Sequence, residues 1–572
     1  MSTAGVAVLA KRGRFLVAEP AFERGERRIT LDGRGAKGAS VGDLVLLGIG
    51  KRGARVVRSL GRPDVARDVI EALMLDRGLR RAFPRAVDGE AADAAQDAPW
   101  DGPRKDLTDL PTFTIDPAAA RDFDDAVSAR READGRVRVW VHIADVSAYV
   151  RPGGATEREA YRRGTSVYVP GAVEPMLPEA LSNEACSLKP GVPRNAVTVE
   201  LEMDGADTVS VAFHRSLVRS DVRWSYDEVD EFFAGRAAPG EPCGESLVAA
   251  RAVAAALQAV RDARGALAVE SSEPRFEFTG DGHVAGVRRE AQTESHRVIE
   301  HLMILANERV ADYLAERKAP TLYRVHERPD PQAVAWLVAR LETLGVSTPP
   351  VPETLTPQQA GDLVGEVSHR VAAHVRRTGH GGRALHSMVL RSLKQAHYSP
   401  RNAGHAGLAS PRYCHFTSPI RRYPDLVVHR ALLAALGIDD SAPRGSELED
   451  AGQGSSALER EAMLIERDSD DVCLAFLLER RLFEDGWERP WDGEVVSLIS
   501  SGVFVAFGDE GFQGFLPLRR MRGDWWELNE HETMIVGAES GRFVRLGDPI
   551  RVEVARVDTL RGRVDLVPAP SV

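Results

Sequence analysis

Short apolar runs, long amphipathic stretches and short apolar runs again follow one another along the chain. Residues 5–20, GVAVLAKRGRFLVAEP, are two β-rich runs around a basic turn, and VGDLVLLGI is a further strand opened by Gly42-Asp43. Short, evenly spaced strands of this kind predict a small barrel over residues 1–62. DVARDVIEALMLDRGLRRAFP then has helical period, with Val69, Ile70, Leu73, Leu75 and Leu79 among its apolar residues and Pro84 as its stop. From Gly89 to Pro103 the chain is rich in Ala, Asp, Gln and Pro, which predicts a linker inside a connector of residues 63–103.

From Arg104 to about Gly437, strands such as RVRVWVHIADVSAYV mix with helices such as SHRVIEHLMILANERVADYLAERK. A second helical tract is expected over about Ser456–Glu484, giving a central unit of residues 104–487. Residues 488–572 return to short strands, in WDGEVVSLISSGVFVAFGDEGFQGFLPL and LGDPIRVEVARVDTLRGRVDLVP. Val41-Gly42-Asp43-Leu44 is echoed by Leu546-Gly547-Asp548-Pro549, and both precede a β-rich run. The expected architecture is therefore a multidomain α+β chain, with one small barrel type at both ends of a larger mixed α/β domain.

Length and composition narrow the class. At 572 residues the chain is too long for one core, and about 150 residues per domain suggests three or four. No run of about 18 apolar residues occurs, so no membrane span is expected, and the first residues lack the order of a signal peptide. Cys186, Cys243, Cys414 and Cys473 are far apart, which suits a reducing cytoplasm and argues against a zinc site or a disulfide framework. The net charge of −11 argues against a simple basic coat for nucleic acid. An anionic ligand has to meet a local basic site or metal ions.

The stretch TIDPAAARDFDDAV, residues 114–127, crowds Asp116, Asp122, Asp124 and Asp125 beside Ile115, Phe123 and Val127, with Arg121 as the one cation. A single aspartate there reads as a turn or a helix cap, such as Asp116 before Pro117. The group does not, because like charges held close raise one another's pKa unless a cation neutralises them. Oxygen ligands without His or Cys suit Mg²⁺ or Mn²⁺, whose remaining positions take water and substrate phosphate. Calcium is disfavoured, because the spacing is not that of an EF-hand loop. About 300 residues later HFTSPIRRYPDLVVHR offers the complement. Thr417 or Ser418 is placed to cap a helix, Pro419 to begin it, and Arg421 and Arg422 to lie in its first turn. Backbone N–H groups and guanidiniums would then grip an anion. Pro424 predicts a kink or a fresh helix start.

These segments, with SVYVPGAVEPMLPEALSNEACSLKP and LYRVHERPD, resemble the signature segments of the RNase II/RNase R (RNB) exoribonuclease family, nearer its RNase R branch. The resemblance runs from about Ile115 to the end. It implies a cold-shock-like OB barrel at the N-terminus, an RNB catalytic domain and an S1 barrel of OB fold at the C-terminus. It also implies a processive 3′→5′ hydrolytic exoribonuclease that releases nucleoside 5′-monophosphates. By match to the family's motifs, Asp116 and Asp125 would be Mg²⁺ ligands and Asp122 would support a metal or its water. Asp124 would be the carboxylate on which the chemical step depends, and Arg421 would contact the scissile phosphate. Tyr168 matches the tyrosine that stacks on the terminal base, Tyr226 a tyrosine linked to RNA preference, and Glu300 a glutamate at the terminal nucleotide. Single-stranded RNA is then the expected partner, with no membrane, no DNA substrate and a monomeric state.

The chain departs from the family at several points. Val269 occupies the position of the second base-clamping aromatic, the N-terminal part has room for one cold-shock-like barrel, and the lysine-rich C-terminal tail is absent. Glu466 also matches a family position, without an assigned role. His142 reads as structural more than metal-binding, and His415 and His429 as structural or hydrogen-bonding. Of Phe504, Phe507, Phe512 and Phe515, part belongs to a barrel core. Two other readings compete: a non-catalytic OB-rich RNA-binding factor, against which the complete aspartate set speaks, and a metal-dependent endonuclease or DNA exonuclease. Against DNA stand Tyr226 and Glu300, whose groups can bond a 2′-hydroxyl.

Overall fold

The computed structural model describes residues 2–22, 28–31, 36, 38–50, 53–100, 102–264, 272–439 and 441–570. Its N-terminal strands Ser2–Arg12, Phe15–Pro20, Ile29–Leu31, Leu44–Gly50 and Gly53–Gly61 form one antiparallel sheet, in the order third, second, first, fourth, fifth. Among the described residues the two outer strands share no hydrogen bond but lie against each other, so the sheet curls into a small half-barrel. Strand alternation gives it two apolar faces. Leu9, Ala18, Val45 and Leu47 make its own core, while Val6, Leu44 and Leu46 join the larger core beneath.

Helix Ala66–Asp76 buries Val69, Ile70, Ala72 and Met74 against that face. The expected linker from Gly89 is instead largely helical: Arg85–Gln96 is a helix that buries Val87, Ala91 and Ala94. Its alanines are strong helix formers, and Pro84 stands at its N-cap, where a missing N–H does no harm. Ala, Asp and Gln therefore signalled a small-faced helix, not a loop.

The centre is a seven-stranded sheet, in the spatial order Val222–Ser225, Phe113–Asp116, Asp125–Arg131, Val137–Ala144, Pro193–Asp204, Asp207–Arg219 and Lys105–Asp106. Helices Gly244–Ala263 and Glu294–Glu316 cover one face, packing Leu247, Val253, Leu302 and Leu305 with Val127, Val139, Val141 and Val199 of the strands. On the other face lie Phe123, Trp140, Met176 and Leu177, with Leu426 of helix Tyr423–Ala435.

Helix Gly445–Asp485, 41 residues long, runs past the N-terminal helix, the strand Val167–Val169 and the C-terminal barrel. It starts eleven residues before the expected Ser456. Gly452 and Gly454 hid that start, because glycine is a poor helix former. Gly452 is required by packing: a Cβ there would lie 2.7 Å from the Tyr398 carbonyl oxygen.

Strands Trp491–Ile499, Gly502–Phe507, Phe512–Pro517, Arg563–Pro568 and Pro549–Asp558 close a barrel. A three-stranded sheet, Trp526–Leu528, Met534–Gly537 and Phe543–Arg545, is inserted between its third and fourth strands in chain order. Trp526 is tied to it by an indole N–H donated to the Met521 carbonyl at 2.9 Å, while Trp525 is exposed. Phe507 and Phe512 are buried in the barrel; Phe504 and Phe515 are half-buried, with ring centroids 5.1 Å apart. One continuous apolar core runs from the N-terminal sheet through the long helix and helices Pro331–Thr343, Pro357–Thr378 and Gly382–Arg391 into this barrel. Among the described residues no helix is long and apolar enough to cross a membrane.

Candidate active site

Two strand ends carry the acidic stretch. Asp116 is the last residue of Phe113–Asp116, held parallel to Val222–Ser225 with Ser225 opposite it. Asp125 opens Asp125–Arg131, opposite Ile143. Between them the chain is pinned at Phe123. Its N–H donates to Ser187 Oγ at 3.0 Å, its carbonyl accepts the Leu188 N–H at 3.0 Å, and Ser187 Oγ donates to the Arg121 carbonyl at 2.8 Å. Phe123 itself is buried, with the Arg223 guanidinium over its ring. The apolar residues among the aspartates are thus the anchors that hold the carboxylates in place.

The arginine segment is a turn in front of a helix. The helix begins at Tyr423, with Arg422 as its N-cap and Pro424 inside its first turn. Arg421 and Arg422 therefore precede the helix instead of lying in its first turn, and neither Thr417 nor Ser418 caps it. Proline at the start of a helix explains the placement, since its fixed φ and missing N–H fit there. Pro424 marks the fresh start. The turn is fastened to residues 164–166: Ser166 N–H donates to the Arg421 carbonyl at 2.9 Å and Tyr423 N–H to the Gly164 carbonyl at 2.9 Å.

The two arginines have separate partners. Arg422 donates through Nε and Nη2 to the buried Asp425 carboxylate at 3.0 and 2.8 Å, and Asp425 also accepts the Ser418 N–H at 2.8 Å. Burial works against the Arg422 charge, but Asp425 outweighs it and holds the guanidinium pKa above its ordinary value. Arg422 is thus committed to the turn. Arg421 is left as the arginine that reaches solvent: its side chain is 47% exposed, with Nη2 donating to Ser418 Oγ at 3.1 Å and Nε 3.7 Å from Asp124 Oδ2.

Asp124 is buried, and its Oδ1 accepts the Ile420 N–H at 2.8 Å. Burial pushes its pKa well above the ordinary carboxylate value, against the pull of Arg421 and of that N–H. Burial and the neighbouring Asp125 push Asp116 up to about 7, and burial pushes Asp125 up to about 6 against Arg421 and Arg422. Asp116 Oδ2 is buried without a hydrogen-bond partner. Asp122 accepts the Tyr168 hydroxyl at 2.9 Å. Among the described residues no three His, Cys, Asp or Glu side chains converge closely enough to cage a metal ion.

The other residues singled out in the sequence surround this centre unequally. Tyr168 is part-exposed, its hydroxyl on Asp122 and its N–H donating to Glu466 at 2.8 Å, so Glu466 fastens the tyrosine's backbone. Tyr226 follows Ser225 directly and opens helix Tyr226–Phe233 beside Asp116. Glu300 lies on helix Glu294–Glu316, one turn beyond His296, whose ring stacks on Tyr226. Val269 lies outside the described residues.

His142 is structural: it is buried, with its ring nitrogens 2.8 Å from Thr198 Oγ1 and 3.1 Å from Ser128 Oγ. His415 lies 2.8 Å from the Tyr398 hydroxyl, and His429 bonds the Phe416 carbonyl. Sequence reasoning missed the pair Arg422–Asp425, which the Arg-x-x-Asp spacing could have suggested. It also missed Ser187 and His296, for which the sequence carried no signal.

The RNB domain family matches residues 104–438 of this chain. Ribonuclease R of Escherichia coli is 33% identical over 550 residues, covering 92% of this chain and 66% of its own. Ribonuclease R of Aquifex aeolicus is 32% identical, covering 96% of this chain and 77% of its own. The chain thus spans about two thirds to three quarters of the length of these relatives. Among solved structures, the apo form of Mycoplasma genitalium RNase R superimposes with a TM-score of 0.88 at 25% identity, covering 99% of this chain and 89% of that one. The same relative in complex with ribose-methylated single-stranded RNA gives a TM-score of 0.86 at 24% identity.

Proposed function

The chain belongs to the RNB domain family, in its ribonuclease R branch, and on that premise we propose that it is a processive hydrolytic 3′→5′ exoribonuclease. Its substrate is single-stranded RNA, its products are nucleoside 5′-monophosphates, and its cofactor is Mg²⁺. The observation that carries the reading is the pairing of a buried carboxylate, Asp124, with a part-exposed cation, Arg421, from two segments far apart in the sequence.

The donor set fits a hard divalent cation. Asp116 has a buried oxygen with no partner, and Asp116 and Asp125 both hold protons more tightly than ordinary carboxylates. That is the state of a site built for positive charge. Mg²⁺ is commonly held by one or two carboxylates plus substrate phosphate, so a preformed three-ligand cage is not needed. Asp116 and Asp125 would hold it, with Asp122 in support. When bound there, magnesium supplies Lewis acidity to the phosphate and lowers the pKa of the attacking water.

The chain's own residues do the rest. Asp124, fixed by the Ile420 N–H and beside Arg421, would be the carboxylate on which the chemical step depends. Arg421 donates to the scissile phosphate oxygens and offsets the charge that grows on them, as preorganised donors in a water-poor site do. Arg422 and Asp425 keep the turn from moving, so Arg421 is held in place before substrate arrives. Tyr168 offers a ring face to the terminal base, which gives grip without sequence reading. Four buried, unpaired cysteines suit a cytoplasmic location.

Incubation of end-labelled single-stranded RNA and DNA with Mg²⁺ tests the proposal. RNA should be shortened from its 3′ end with release of mononucleotides, DNA should persist, and chelation should stop the reaction. Asp124→Asn should still bind RNA and lose several orders of magnitude in turnover. A residual rate above about a tenth, equivalent to roughly 1.4 kcal/mol, would remove Asp124 from its role. Binding without products from the unmodified chain would favour the RNA-binding factor, and internal cuts an endonuclease.

A further inference from the structure

Helix Glu294–Glu316 carries, in its first turn, a histidine that no step above uses. His296 lies face to face with Tyr226, ring centroids 3.8 Å apart and planes 10° from parallel. Its Nδ1 is occupied by Thr293: the hydroxyl is 2.7 Å away and the backbone N–H donates at 3.4 Å. An amide N–H only donates, so Nδ1 accepts and the proton of the neutral ring is on Nε2. Nε2 makes no hydrogen bond to any described residue. Glu300, four residues on, projects from the same face of the helix.

This places a free donor next to an aromatic ring that the sheet fixes beside Asp116. Ser225 is paired with Asp116, and Tyr226 is the next residue. The Glu300 carboxylate only accepts, whereas a 2′-hydroxyl both donates and accepts. His296 supplies the donor that Glu300 lacks. We propose that His296 is a specificity-determining residue, which fixes the plane of Tyr226 by stacking and donates from Nε2 to the 2′-hydroxyl oxygen of an RNA ribose in the site. The inference rests on the exoribonuclease reading and extends it. A deoxyribose would leave the half-buried imidazole N–H without a partner in the complex, and sites built to bond a hydroxyl reject substrates that lack it.

Three variants separate the two parts of the role. His296→Phe keeps a flat ring for Tyr226 and loses the donor; His296→Gln keeps a donor and loses the ring; His296→Ala loses both. The measurement is kcat/KM on a single-stranded RNA and on the same strand with 2′-deoxyribose through its 3′-terminal nucleotides, with a thermal melt of each preparation. The ratio of RNA to deoxy-terminated rate should fall roughly tenfold in His296→Phe, the worth of one hydrogen bond to a polar group. It should fall less in His296→Gln and most in His296→Ala. A wild-type ratio in His296→Phe overturns the proposal, and a lower melting temperature with unchanged ratios in all three reduces His296 to a packing residue. If the unmodified chain shows no preference for ribose at all, the exoribonuclease reading fails first, and the histidine's role with it.

Discussion

Asp116 and Asp125 are an unusual pair of carboxyls to find at adjoining strand ends. Against an ordinary value of 3.8, burial and mutual repulsion raise Asp116 to about 7, and burial raises Asp125 to about 6. Without metal, the folded chain therefore holds protons that the unfolded chain releases between about pH 4 and 7. Below that window both states are protonated, so no difference arises. Through it the unfolded state binds fewer protons, and these two groups lower stability as pH rises. If magnesium is held there as proposed, it would bind the ionised forms and displace those protons. Its stabilising effect should thus be small at pH 5 and large at pH 8. Melting the protein with and without Mg²⁺ at each pH isolates this contribution from the buried histidines, which titrate regardless of metal. Asp116→Asn should abolish most of the pH 8 increment. Equal increments at both pH values would mean that the ion sits elsewhere.

At the scale of elements, one turn of the C-terminal barrel is seated on the long helix. Gly562 lies at φ 59°, where a Cβ would come within 2.6 Å of the Asp471 backbone carbon. Gly205, in the turn between Pro193–Asp204 and Asp207–Arg219, has the same φ of 59° and open space around it. Alanine costs roughly 1–2 kcal/mol in this left-handed conformation at either position. Only Gly562→Ala also pushes the barrel from the helix, which should add about 1–3 kcal/mol, the usual cost of overpacking. Comparing the two melts measures the docking term; equal losses would mean that the barrel is not seated there. The same elements show what was legible in the sequence. Helix Ala66–Asp76 announced itself through apolar period, and the acidic stretch and the arginine turn through their residues. What escaped was set by contacts remote in sequence. Gly452 sits mid-helix because Tyr398 approaches it, and Arg85–Gln96 is a helix because its alanines meet a neighbour. The helix expected to start at Pro419 starts at Tyr423, and the Ile420 N–H that a cap at Thr417 or Ser418 would have served goes to Asp124 instead. His296 gave no signal because stacking on Tyr226 joins residues 70 positions apart.

The whole molecule carries a net charge of −11 and yet is proposed to hold a polyanion, so its cations must be concentrated locally. One such place is a cleft on the C-terminal barrel where Arg519, Arg520, Arg556 and Arg561 outnumber Asp558 and Asp565. Arg561 is committed, donating to Asp558 and to the Pro20 carbonyl of the N-terminal sheet. Arg519 and Arg520 are exposed, on the 3₁₀ turn that follows the strand Phe512–Pro517. Removing the barrel from Trp491 onward is a poor test of its role. Trp491, Val495 and Leu516 share one core with Val371 and Leu385, so truncation would open an apolar face and unsettle the remainder. Substituting the two exposed arginines leaves that core alone. If each neutralises one phosphate of the strand, each should contribute about 0.7 to the slope of log affinity against log salt. Arg519→Ala with Arg520→Ala should then lower the slope by about 1.4 and weaken binding most at low salt. The single-turnover rate at saturating RNA should fall far less than the affinity if the barrel, as proposed, grips the strand away from Asp124 and Arg421. An unchanged slope would show that RNA does not cross this cleft. A rate that falls as steeply as the affinity would show that the barrel shapes the catalytic centre itself.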